Sequence, residues 1–144
     1  MFEYIYLTAI AWFLGFFPLT EIYIAIPTSM IMGLDSVSAV IWASIGNFLP
    51  IPLIVYFYDS LMKWEPLGVW MRKLSNNRYR EKIEQNGFIM ILLLTPIIGG
   101  WAVGVIGRAI GLTKYKLFLS SAVSIFFYGI IIAFLTSYGI DFFR

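Results

Sequence analysis

The sequence has no cysteine and no histidine. The first absence excludes disulfides and thiolate metal sites. The second removes the side chain that most often shuttles protons near neutral pH, so any proton chemistry must use Asp, Glu, Lys or Tyr. Charge is scarce as well. Charged residues make up 12% of the 144, about half the share of a soluble domain. There is no phosphate-binding loop, paired-carboxylate site, metal cluster or nucleophile–base arrangement. An enzyme is therefore not expected, and neither a cofactor, a metal nor a nucleic-acid partner is called for. The N-terminus, Met1-Phe2-Glu3-Tyr4, lacks the basic region of a secretory signal, so the first apolar stretch is expected to belong to the mature protein.

What is present is apolar and aromatic: 60% hydrophobic residues and 19% Phe, Trp and Tyr, a composition suited to membrane spans with interfacial belts. Residues 36–58 and 117–140 are uncharged runs of 23 and 24 residues. The shorter measures about 35 Å as a helix, enough for a hydrocarbon core of ~30 Å. Region 4–34 is different. As one helix it would reach about 46 Å, and Pro18 and Glu21 interrupt it. Region 86–111 has the same anatomy around Pro96, Gly99 and Gly100.

Sliding the chain by 78 residues aligns Pro18 with Pro96, Tyr23 with Trp101, Gly33-Leu34 with Gly111-Leu112, and Phe48 with Phe126. Each half reads as an apolar leg, a proline, a polar or glycine tip, a small-residue leg, a Gly-Leu turn and a long span. Nine of the ten Lys and Arg lie between Lys63 and Lys116, Arg144 being the exception. Positive charge favours the cytoplasmic side, so region 86–111 should enter and leave on one side.

The expected fold is thus an all-α integral membrane protein, one domain over 1–144. It has two inverted repeats (about 4–58 and 86–140), each a re-entrant helical hairpin followed by a transmembrane helix. The amphipathic stretch 59–85, with Trp64, Trp70, Met71 and Leu74 among Lys63, Arg72, Lys73, Arg78 and Arg80, would lie on anionic lipid at the cytoplasmic face. Both termini would be outside the cell membrane, and the two tips would meet near the midplane, where secondary transporters build their sites.

Glu21 follows Pro18-Leu19-Thr20, with Thr20 a candidate N-cap. An ionisable group at membrane depth is a functional candidate by default; the alternative is an ordinary exposed loop. Arg108 could pair with Glu21, hold an anionic group, or snorkel to the cytoplasmic face. Asn47 places an amide mid-span, for packing or for a wet path, beside Pro50 and Pro52. Gly100, Gly104, Gly107 and Gly111 form a stripe at helical spacing that suits close helix packing, and Gly99-Gly100 could let amides approach an anion. Ser120, Ser121, Ser124 and Tyr128 give the last span a mildly polar face suited to interhelical hydrogen bonds.

Glu21-Ile22-Tyr23-Ile24-Ala25-Ile26-Pro27, Gly33-Leu34, Gly46-Asn47 and Pro50-Ile51-Pro52 together resemble the small multidrug export protein family. Thr95-Pro96-Ile97-Ile98-Gly99-Gly100-Trp101-Ala102-Val103-Gly104 is similar to that family's second motif. The resemblance covers roughly residues 15–140. It implies a small prokaryotic membrane protein of the wider DedA-like superfamily, with re-entrant hairpins facing each other and proton-linked transport; some relatives are linked to lipid flipping. Tyr23 stands where the family usually has Arg, which removes a partner for Glu21 or for an anion, and Ile98 stands where it usually has a second Pro.

The expectation is a secondary transporter of small multidrug export type, with a proton as candidate coupling ion. Glu21 would be the coupling or gating carboxylate, Arg108 its counter-charge or anion anchor, and Gly99 and Gly100 the opposing tip. Membrane lipids surround it, and a homodimer would thicken the wall around a polar path. Two rivals stand beside it: a translocase of polyprenyl phosphate or phospholipid, and a non-transporting scaffold in which Glu21 and Arg108 merely pair.

Overall fold

The computed structural model describes residues 1–76 and 80–143; Arg78 of the expected interfacial stretch and Arg144 lie outside them. The described residues form seven helices and no strand: α1 (Phe2–Phe16), α2 (Glu21–Ile31), α3 (Ser36–Phe48), α4 (Pro50–Lys63), α5 (Glu65–Ser75), α6 (Arg80–Ala109) and α7 (Lys114–Phe143). Three stretches are long and apolar enough to cross a membrane: Ser36–Lys63, Arg80–Ala109 and Lys114–Phe142. The expected span 36–58 thus runs on to Lys63, with the helix assignment broken at Leu49, where Pro50 and Pro52 cannot donate to the carbonyls four residues back. The last span starts at Lys114, three residues before the uncharged run.

The chain divides into two compact units. The first holds Met1–Phe48 and the chain from Ile125 onward. Here α1, α2 and α3 pack on one another. Glycine makes the α1–α3 contact close: a Cβ on Gly15 would run into the Ala43 carbonyl, and one on Gly46 into the Trp12 carbonyl. Pro18 ends α1. It pushes Phe17 into extended backbone (φ −70°, ψ 129°) and cannot donate to the Leu14 carbonyl. Thr20 Oγ1 donates to that carbonyl instead, at 2.5 Å. Asn47 Nδ2 donates to the neighbouring Gly15 carbonyl at 3.1 Å.

The second unit is Leu49–Ser124. Here α4, α5 and α6 pack together around the fully buried Ile54, Met71 and Val105. The apolar face of α5, including Leu67, Trp70 and Leu74, covers this cluster. The expected interfacial helix therefore spends much of its apolar face on protein rather than on lipid. Stretch 59–85 is the end of α4, all of α5 and the start of α6, not one linker element.

The 30 residues of α6 are not straight. Helical geometry fails at Asn86–Gly87 and again at Gly99 (φ 85°, ψ 160°). A Cβ on Gly87 would lie 3.4 Å from the Leu112 side chain, whereas a straight helix would part those positions by about 37 Å. The element folds back on itself at Gly99, so it is a hairpin although its length suits a span. Pro96 leaves the Leu92 carbonyl without its helical donor, and Ser124 Oγ of α7 supplies one at 2.6 Å.

Candidate functional site

The backbone repeats its construction at the 78-residue spacing. α2 ends with Gly33 at φ +107°, and the second leg of α6 ends with Gly111 at φ +73°. Leu34 N donates to Ser29 O at 2.9 Å, and Leu112 N donates to Gly107 O at 3.0 Å, the six-to-one bond of a Schellman stop. Ala39 N to Asp35 O and Leu117 N to Thr113 O then open the next helices. At the tips the match is Glu21 (φ 50°) with Gly99 (φ 85°).

Glu21 is the one non-glycine residue with positive φ among those described. A side chain in the left-handed region costs about 1–2 kcal/mol, and such strain concentrates where function requires it. The carboxylate is half-buried on the first residue of α2, where the free amides of the helix start favour a negative charge. Within its unit, among the described residues, it has no ion pair and no hydrogen-bond donor to its side chain, because that unit holds no described Lys or Arg. Tyr23, 46% exposed, lies within electrostatic reach of both Glu21 and Tyr128. Two phenols and one carboxylate thus share this end of α2.

The other candidates fall into different roles. Thr20 does not cap α2; its hydroxyl turns back to the carbonyl that Pro18 orphans. Asn47 is 1% exposed and spends its amide on Gly15, so it ties α3 to α1. Pro96, Gly99 and Gly100 are buried at the second tip, and Trp101 packs edge-on against Trp70, with centroids 5.5 Å apart. A Cβ on Gly104 would come within 3.2 Å of Ile51, and one on Gly107 within 2.7 Å of Leu117, which explains glycine at both by packing. Gly111 does not extend that stripe: it is exposed, nothing lies near it, and its positive φ makes it a turn residue. Arg108 is exposed, its guanidinium 5.4 Å above the Tyr58 ring. On α7, Ser120 and Ser121 bond back to Lys116 and Leu117 of their own helix, so only Ser124 of the expected polar face is seen to reach another helix.

Sequence reasoning missed three features. Gly15 and Gly46 carry the closest helix contact of the first unit; Gly46 in Gly46-Asn47 was visible, but its facing partner was not. Ser44 Oγ is fully buried without a hydrogen-bond partner, 3.1 Å from the position a Cβ on Gly129 would take. Asp35 Oδ1 accepts the Ser38 N–H at 2.9 Å, an N-cap legible from Asp ahead of an apolar run. Among the described residues no group of acidic side chains could hold a metal ion.

Three long apolar stretches with glycine-packed helices define a multi-pass helical membrane protein. A family model described as "Putative small multi-drug export protein" matches residues 21–131, beginning at Glu21 itself. The chain belongs to that family. Neither the curated proteins nor the solved structures contain a match to it.

Proposed function

We propose that this protein is a secondary transporter of the small multidrug export type and that Glu21 is its coupling carboxylate. The observation that carries this reading is the placement of Glu21: a half-buried acid held in left-handed backbone at a hairpin tip, where the matching position 78 residues on is glycine. A residue retained against its own backbone preference needs a reason, and an ionisable group in an apolar chain offers one. Tyr23, beside it, supplies an aromatic face and a hydroxyl for an amphipathic cation.

In this reading the two hairpins are re-entrant. α1 and α2 are about 22 Å and 16 Å long, and the legs of α6 on either side of Gly99 are of similar length to α2, each short of a ~30 Å core. The recurrence at 78 residues supports two repeats of one design. The basic end of the second unit would face the cytoplasm, inverting the repeats across the membrane.

The test is uptake of a cationic amphipathic dye into proteoliposomes, with and without a pH gradient. Wild type should accumulate dye only with the gradient, and Glu21→Gln should lose that accumulation while eluting as a folded species. Uptake unchanged in Glu21→Gln would sink the assignment. Movement of a fluorescent phospholipid without dye uptake would replace export with lipid translocation.

A further inference from the structure

The second unit carries a cluster of positive charge that its own fold leaves unanswered. The turn at Gly111 brings the last turn of α6 against the first turn of α7, with Arg108 on one side and Lys114 and Lys116 on the other. α4 supplies two rings: Arg108 lies 5.4 Å from the Tyr58 centroid, and the Lys114 ammonium lies 4.4 Å from that of Tyr56. All three cations are exposed. None is within ion-pair distance of a carboxylate among the described residues. Asp59 follows Tyr58 in sequence and reaches none of them.

Folding alone does not favour this arrangement. Lys114 and Lys116 stand at the start of a 30-residue helix with no acidic residue in its first turn, where the positive end of the helix repels them. The amides of that first turn also lack helical acceptors. An anion at this spot would reverse the sign of each of these interactions. The tyrosines narrow its kind. Aromatic rings beside long cations are the furniture of the membrane–water border, and the cluster sits where the apolar stretch Lys114–Phe142 begins.

We propose that Arg108, Lys114 and Lys116, framed by Tyr56 and Tyr58, bind the phosphate of an anionic phospholipid headgroup, with the acyl chains lying along α4 and α7. This rests on the membrane character of the chain and not on the export reading.

The experiment is native mass spectrometry of the purified protein released from vesicles of equal phosphatidylglycerol and phosphatidylcholine. Wild type should retain phosphatidylglycerol preferentially. R108Q/K114Q should lose that preference by about 30-fold, the effect of two cations near an anionic surface. R72Q/K73Q, which removes two exposed cations from α5, should keep it. R108K/K114R, which preserves charge, should also keep it and guards against misfolding as the cause. Equal loss in both Gln doubles would overturn the proposal in favour of diffuse attraction. So would the absence of any preference in wild type, or displacement of the lipid by excess inorganic phosphate.

Discussion

At the first hairpin tip the residue in left-handed backbone is Glu21; at the second it is Gly99. Glycine meets that geometry without steric penalty. Glutamate meets it at a cost of about 1–2 kcal/mol. The units around the tips differ in the same sense. The one holding Glu21 has four acidic residues, Glu3, Glu21, Asp35 and Asp141, and no Lys or Arg except the terminal Arg144. The one holding Gly99 has nine Lys and Arg against four acids. One backbone plan therefore carries two chemistries: a strained acid among apolar and phenolic side chains, and an amide-lined turn beneath a basic surface. The shared plan sets where the chain turns. The departures from it mark where selection has asked for something besides folding.

The sharpest way to break this comparison is at the helix contacts. Gly15→Ala or Gly46→Ala drives a methyl group into a backbone carbonyl that cannot move aside, and each should destabilise by about 3 kcal/mol or more. Gly104→Ala in the other unit meets Ile51 and the mobile end of Ile54 and should cost nearer ~1 kcal/mol. Fluorescence-detected thermal melts in detergent would rank the three; equal losses would remove the distinction between a backbone and a side-chain contact.

Next come the two carbonyls freed by proline. Thr20→Val and Ser124→Ala should each cost about 1–3 kcal/mol by leaving Leu14 O and Leu92 O without their side-chain donors, and Thr20→Ser should be nearly silent. If Thr20→Val melts like wild type, the hydroxyl is not what holds the first tip.

The tips themselves predict opposite signs. Gly99→Ala should destabilise by about 1–2 kcal/mol. Glu21→Gly should stabilise by about 1 kcal/mol net of the entropy glycine loses, while abolishing gradient-driven dye uptake. A Glu21→Gly variant that is less stable than wild type would show that the carboxylate is held by contacts strong enough to outweigh its backbone strain.

The smallest effect concerns acid. The side-chain and backbone donors of Ser38 hold the Asp35 carboxyl below the usual carboxylate range. A depressed value in the folded state means that the ionised cap stabilises at neutral pH and that this contribution is lost as pH falls through the folded-state value, below about 3.8. Asp35 is exposed, so solvent screening keeps the effect under about 1 kcal/mol. The second repeat has Thr113 at the matching position. Melts at pH 5 and pH 3 should therefore differ more for wild type than for Asp35→Asn, which caps without titrating.

Much of the architecture was legible in the residues. Uncharged runs long enough to span, proline in the middle of apolar regions, and Gly-Leu at the ends of both small-residue legs placed the hairpins, and the 78-residue spacing aligned their turns. These are local signals: a proline lacks its donor and a glycine tolerates positive φ whatever surrounds them. Thr20 was misread for an instructive reason. A hydroxyl one residue before a helix can cap forward or turn back, and the choice depends on which backbone group is left needing a partner. Gly111 was misread as packing because stripe spacing does not reveal where a helix stops.

The sequence by itself determined that the chain is a helical membrane protein with two broken apolar regions, because burial in lipid and backbone hydrogen bonding depend on composition and on proline and glycine positions alone. Only the tertiary structure decided that α6 folds back at Gly99, that α5 covers a protein core, that Asn47 locks α3 to α1, and that Tyr56 and Tyr58 meet Lys114 and Arg108. Those pairings join residues far apart in the chain, and no local periodicity encodes which distant carbonyl or ring a side chain will meet.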